Sequence, residues 1–275
     1  SRYGKVRQVK RLIYQVYLGR DSNTKLYNYC INSVMEYCKL HGFDHKVQRT
    51  PILMIKPDLF STNRNKNAWE EHGGFLPIYE KQNVFNYLDE YDQVCVVDGD
   101  IWIRPDTPSV FDNVDMTFDF GAVFEREIPL DPKYKQRMTD YSKNLLGQIP
   151  EYNWDYNPAG EFFNSGVLVY NSENIKKALN GDTPKEFVRR PEFKPFIDGD
   201  GYFKWQGDQI MLNYWWKRDN LNVKHLDWKW NTLFNPKWGG TLSEKAKEGN
   251  FIHFFQSRQL AELKDHPEKL VELVT

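Results

Sequence analysis

Four apolar residues, Val94-Cys-Val-Val97, run unbroken into Asp98-Gly99-Asp100. A short run without polar alternation reads as a strand covered on both faces, which places it in an α/β sheet rather than in a half-solvated one. Two carboxylates then leave the C-terminal end of that strand together, with Gly99 between them permitting close backbone approach. In open α/β sheets, ligands bind at that end of the strands. Paired carboxylates suit a hard divalent cation, Mg²⁺ or Mn²⁺, shared with the oxygens of a substrate phosphate. Asp-Gly-Asp is also an ordinary turn composition, so the metal reading draws its weight from the rest of the chain.

A β-α-β opening precedes that strand. Residues 11-18 alternate and are rich in β-formers, and a helix beginning near Ser22 carries Leu26, Cys30, Val34 and Cys38 at four-residue spacing before Gly42 stops it. Phe43 to Gln48 reads as the second strand. Residues 51-76 read as a long polar loop, and Pro77 starts a helix expected to reach about Glu90. Its stripe holds Ile78, Phe85 and Leu88, and also Lys81, which either snorkels along the core edge or reaches a ligand.

Beyond Asp100, residues 115-124 read as an apolar strand, and residues 126-160, without clear periodicity, as an insertion or lid. Phe162 to Asn171 has strong strand propensity, and its Asn164-Ser165-Gly166 entry fits a wall that a ligand approaches closely. After a short helix at about 173-180, another helix starts at Gly207 or Asp208. Asp208 there is either a capping residue or, with Gln209, a polar pair aimed at the helix N-terminal side, where anionic or hydroxyl-rich groups are held. Val223 to Trp230 is strand-like. Asn250 to Phe255 is an apolar strand interrupted by His253, which taken alone reads as a core histidine or as a ligand.

The 275 residues suffice for one large α/β domain with a substantial core. With 37 Lys+Arg against 38 Asp+Glu, no surface built to coat a polyanion is expected, and nucleic acid is excluded as the main partner. Cys30, Cys38 and Cys95 fall at buried positions and read as reduced thiols, and no apolar run approaches a membrane span. The N-terminal Ser1-Arg-Tyr-Gly lacks signal-peptide character, so a cytoplasmic location is expected, with a removed anchor or targeting segment left open. Aromatic residues make up 16% of the chain. Trp154, Trp205, Trp215, Trp216, Trp228 and Trp238 are either core or a surface on which sugar rings stack.

Taken in order, the Asp98-Gly-Asp100 strand end, Phe163-Asn-Ser-Gly-Val-Leu-Val-Tyr, Gly207-Asp-Gln-Ile-Met-Leu-Asn213, Trp230-Asn231 and Ile252-His-Phe resemble the glycosyltransferases of the GT-A fold. The likeness is greatest to family 8, the glycogenin and lipopolysaccharide α-galactosyltransferase type, and Tyr37-Cys-Lys-Leu-His-Gly-Phe-Asp44 is similar to family 34. The resemblance spans roughly residues 11-256. It implies a Rossmann-like, mostly parallel central sheet flanked by helices in a single domain, with residues 1-110 as the nucleotide-binding half and 111-275 as the acceptor and sugar half.

The resemblance also implies roles. Asp98, Asp100 and His253 match the ligands of Mn²⁺ (or Mg²⁺), and Asp98 further matches a contact to the donor. Lys81, Asn164 and Ser165 match donor-binding positions, and Asp208 and Gln209 match the pair that faces the transferred sugar near its reacting carbon. Family 8 members follow the histidine with Gly and then Lys-Pro-Trp, whereas this chain reads His253-Phe-Phe-Gln-Ser-Arg258, which leaves Arg258 as the substitute for the diphosphate-binding lysine. The stretch between Asp100 and Asn164 is longer than in glycogenin. The expected partners are a nucleotide sugar, UDP-glucose or UDP-galactose, and a glycan, lipid-linked saccharide or protein acceptor, with transfer under retention of configuration. Two other readings compete: a catalytically silent carbohydrate-binding domain of the same fold, and a haloacid-dehalogenase-type phosphohydrolase. The latter places its Asp-x-Asp after the first strand, whereas here a β-α-β-α stretch comes first.

Overall fold

The computed structural model describes residues 7-19, 24-58, 72-147, 149, 161-199, 207-255 and 261-275. Strand β1 (Arg11–Val16), helix α1 (Thr24–His41) and strand β2 (Asp44–Gln48) form the opening unit. Helix α1 buries Leu26, Cys30, Val34 and Cys38 with Ile31 and Tyr37, so the four-residue spacing is the face turned to the core. Strand β3 (Gln93–Val97) is buried along its whole length and lies parallel to β1.

Strand β5 (Phe120–Phe124), strand β6 (Phe163–Asn171) and strand β7 (Val223–His225) complete a six-stranded sheet of order β2-β1-β3-β6-β5-β7. In it β6 runs antiparallel to β3 and β5, and the remaining pairs are parallel. The fold is therefore a single mixed α/β domain with a mostly parallel central sheet.

A smaller sheet sets the geometry of the Asp-Gly-Asp end. It contains β4 (Ile101–Ile103), β8 (Thr232–Leu233) and β9 (Phe251–His253) in the order β4-β9-β8, with Ile101 opposite His253. Period-two alternation divides its side chains. Ile101, Ile103 and Phe251 join the core shared with the main sheet, while Trp102 and Ile252 face a separate cluster with Leu270, Val271 and Val274 near the C-terminus. Among the described residues no helix is long and apolar enough to cross a membrane.

Several elements differ from what the sequence patterns predict. Pro77–Tyr87 is a 3₁₀ segment rather than an α-helix, and it buries polar Glu80, Gln82 and Asn83 together with Tyr79, Val84 and Phe85, so no amphipathic α-helical stripe is kept. The Glu80 carboxylate accepts from the backbone of Leu53 and Met54 at 2.9 Å and from Gln48 Nε2 at 3.1 Å, which ties the segment to the loop after β2. The strand expected over 115-124 begins only at Phe120, since Asp115 closes a turn by accepting from the Thr117 N–H at 2.9 Å. The strand expected over 223-230 stops at His225, where Asp227 caps a short 3₁₀ turn over Trp228–Trp230.

Within 126-160 lies helix α2 (Pro132–Leu146), capped by Asp131. It buries only Ser142, Leu145 and Leu146, which explains its weak periodicity. Helix α3 (Ser172–Leu179) ends on Asn180 in the left-handed region, φ 51°, and helix α4 (Asp208–Arg218) follows Gly207. The helix start near Ser22 lies outside the described residues.

Candidate active site

Strand β3 delivers Asp98 to the C-terminal edge of the main sheet, and the turn through Gly99 brings Asp100 onto the start of the small sheet. Because β9 pairs antiparallel with β4 in a register that sets His253 against Ile101, His253 reaches the same point from the far end of the chain. His253 Nε2 stands 3.1 Å from Asp100 Oδ1 and 3.7 Å from Asp98 Oδ2. One ligand atom from each of the three residues lies within 4.8 Å of the others.

The donor set fits a divalent cation of the Mn²⁺ class, two carboxylate oxygens and one imidazole nitrogen. The surroundings of His253 fit as well. Its Nδ1 lies 3.0 Å from Asn231 Oδ1, so Nδ1 carries a proton and Nε2 is the nitrogen turned to the carboxylates, able to donate to Asp100 when protonated or to ligate a cation when not. Burial alone would lower the His253 pKa, but the Asp100 carboxylate, with Asp98 behind it, outweighs burial and raises it. That raised basicity records how much negative charge meets at this point.

Lys81 lies between the two groups of acidic residues. Its Nζ is 2.9 Å from Asp98 Oδ1 and 2.9 Å from Asp208 Oδ2. Burial pulls its pKa down, and the Asp208 and Asp98 carboxylates more than reverse that, so the ammonium stays charged. Asp208 is the first residue of α4, and its carboxylate goes to Lys81 while no side-chain cap bond is made at that helix end. Gln209, next on the helix, accepts from the Ser165 N–H through Oε1 at 2.9 Å and donates through Nε2 to Glu125 Oε1 at 3.1 Å. Asn164 Nδ2 also donates to Glu125 Oε1 at 3.1 Å.

Lys81, Asp98, Asp100, Asn164, Ser165, Asp208, Gln209 and His253 therefore converge on one strand-end surface. Arg258 lies outside the described residues, as do Trp154 and Trp205. Trp215 and Trp216 are buried at 1% and 7% exposure, which removes them from any exposed cleft and makes them core. Trp228 and Trp238 are half-buried against the second core cluster.

Two further residues complete this assembly. Glu125 carries no motif in the sequence and reads as one acid in a Glu-Arg-Glu run, while Asn231 belongs to the Trp230-Asn231 pair of the resemblance but is given no role by it. For Glu125 a signal exists, since it follows the apolar run of β5 just as Asp98 follows that of β3. Its carboxylate is buried, and burial raises its pKa against the lowering effect of the amides of Asn164 and Gln209.

No family model matches the sequence, and no curated protein matches it significantly. Solved structures do. A glycosyltransferase involved in the glycosylation of the major capsid of PBCV-1 is 15% identical and aligns with a TM-score of 0.55, covering 94% of this chain and 99% of that one. The WbbM bifunctional glycosyltransferase is 14% identical with a TM-score of 0.51, covering 90% of this chain and 45% of its own. The glycosyltransferase GlyE of Streptococcus pneumoniae TIGR4 is 13% identical with a TM-score of 0.50, covering 97% of this chain and 60% of its own. The chain has the GT-A fold.

Proposed function

We propose that this chain is a divalent-metal-dependent glycosyltransferase that moves a hexose from a nucleotide sugar, UDP-glucose or UDP-galactose, to a glycan, lipid-linked saccharide or protein acceptor with retention of configuration. The observation that carries the reading is the meeting of Asp98, Asp100 and His253 Nε2 at the end of a buried strand, with Lys81 and the Asp208-Gln209 pair beside it. The ligands come from both halves of the chain, Asp98 and Asp100 from the nucleotide-binding half at 1-110 and His253 from the acceptor half at 111-275.

Transfer from a nucleotide sugar builds negative charge on the departing diphosphate and positive charge at the sugar's reacting carbon. A Mn²⁺ or Mg²⁺ ion held by Asp98, Asp100 and His253 supplies Lewis acidity and a template for the diphosphate. Lys81 adds a fixed positive charge on the same side, and Asn164 and Ser165 line the donor. The buried carboxylate of Asp208 and the Gln209 amide face the sugar, where a negative charge and an oriented carbonyl dipole stabilise the oxocarbenium-like transition state. Gln209 is held at both ends of its amide, so this dipole needs no reorganisation as charge develops.

The test is turnover of UDP-glucose and UDP-galactose with and without Mn²⁺, by the wild type and by Asp100→Ala. Metal-dependent release of UDP by the wild type and its loss in Asp100→Ala are expected. Full activity with unchanged Mn²⁺ dependence in the variant would sink the assignment.

A further inference from the structure

The chain of hydrogen bonds behind the site has a fixed polarity that can be deduced atom by atom. Two backbone N–H groups, which can only donate, set it. The Gly166 N–H donates to Asn164 Oδ1 at 2.8 Å, so the other end of that amide, Nδ2, faces Glu125. The Ser165 N–H donates to Gln209 Oε1 at 2.9 Å, so Gln209 Nε2 also faces Glu125. Asn231 Nδ2 must then donate to Asn164 Oδ1, at 2.8 Å, which turns Asn231 Oδ1 toward His253 and requires the proton on His253 Nδ1.

Both NH₂ groups end on a single oxygen, Glu125 Oε1, which accepts at 3.1 Å from each. Without it, the buried Asn164 amide and the half-buried Gln209 amide lose their common acceptor, and for the buried one that loss is the costly kind. The Glu125 carboxylate is hydrogen-bonded to the two amides, and His253 reaches it only through a smaller electrostatic effect that lowers its pKa. It acts through the two amides it fixes.

We propose that Glu125 is a positioning residue, whose Oε1 is the common acceptor that locks the Gln209 amide toward the sugar and, through Asn164 and Asn231, holds His253 with Nε2 free for a cation. This rests on the transferase reading of the same site and adds to it a link between the sugar side and the cation side. The property required is reach, an acceptor oxygen at the end of a side chain of this length, and not charge.

Glu125→Gln and Glu125→Asp exchange those two properties. Glutamine keeps the reach and an acceptor oxygen and loses the charge, while aspartate keeps the charge and withdraws it by one methylene. The affinity of the full chain for Mn²⁺ alone is measured by electron paramagnetic resonance, and kcat and KM with UDP-glucose and UDP-galactose are measured separately. Glu125→Gln should stay within about threefold of wild type in both, whereas Glu125→Asp should lose roughly 10-fold or more in Mn²⁺ affinity and in kcat, the range seen when outer-shell partners of ligands are removed. The reverse order, or two variants alike, overturns the proposal.

Both substitutions keep a polar group of similar volume, and unfolding midpoints check that each variant folds. A wild type that binds Mn²⁺ yet turns over no nucleotide sugar removes the transferase reading, while the order of Mn²⁺ affinities still decides the role of Glu125. A wild type that binds no Mn²⁺ overturns both.

Discussion

His45 on β2 is connected to the site through two hydrogen bonds. Its Nε2 lies 2.8 Å from Gln15 Oε1, and Gln15 Nε2 donates to the Asp98 carbonyl at 3.4 Å. Burial, with Arg49 nearby, pushes its pKa down from the ordinary 6.5 to about 4. Between those values the unfolded chain takes up a proton that the native chain refuses, so stability is present above the unfolded pKa and is lost as pH falls through the folded one. After allowance for the part of the ring that solvent reaches, the loss is about 2 kcal/mol. Urea unfolding from about pH 7 to about pH 4 should show this fall in the wild type and a shallower one in His45→Gln; equal slopes would show that His45 does not titrate as described. A lone histidine in the sequence gives little sign of this shift, because its larger cause is burial beside β1, with nearby Arg49 second.

At the scale of elements, strand β6 passes so close to the candidate cation ligand His253 that only glycine fits at 166. A Cβ placed there would stand 2.6 Å from His253 Cε1, 2.8 Å from His253 Nδ1 and 2.9 Å from Asn164 Oδ1. Since the Asp98 N–H donates to the Gly166 carbonyl at 2.9 Å, the backbone at this point cannot retreat without moving Asp98 as well. Gly166→Ala must displace the imidazole and break its bond to Asn231. It should cost about 1–3 kcal/mol in stability as an overpacked site and weaken Mn²⁺ binding by roughly 10-fold or more, although the variant alters no ligand. Calorimetric titration with Mn²⁺ checks it, and an unchanged affinity would mean that His253 is not held as described.

The same strand shows what sequence can and cannot reveal. Its run of β-formers and its Asn-Ser-Gly entry mark a strand and a ligand wall, and the spacing of Leu26, Cys30, Val34 and Cys38 marks the buried face of α1, because each pattern is local. Pro77–Tyr87 is misread as an α-helix because its polar residues, Glu80, Gln82 and Asn83, point inward. Glu125 goes unnoticed, and Asn231 is seen in the Trp230-Asn231 pair without a role, for the related reason that their partner Asn164 lies 39 and 67 positions away along the chain. Proximity of that kind is created by the antiparallel pairing of β5 with β6 and by the closure of the small sheet.

Over the whole molecule, the candidate cation position lies where the two sheets meet, beside the turn through Gly99 and the Asn231–Asn164 hydrogen bond. Asp98 follows β3 of the main sheet, Asp100 precedes β4, and His253 ends β9 of the small sheet. With no cation the two carboxylates lie beside each other, and among the described residues Lys81 pairs with Asp98 and His253 with Asp100. A bound divalent ion would therefore couple the unfolding of the small sheet, and of the C-terminal cluster packed on Trp102 and Ile252, to that of the main sheet. An ion that binds only the native state stabilises it by about 2.7 kcal/mol at about 100 times its dissociation constant, a rise of roughly 5–10 °C in the unfolding midpoint for a domain of this size. Thermal unfolding with and without Mn²⁺ should show that rise in the wild type and none in Asp100→Asn or His253→Gln. An equal rise in the variants would place the ion elsewhere on the molecule, because no ion bound at this point can lose one of its three protein ligands and keep its affinity.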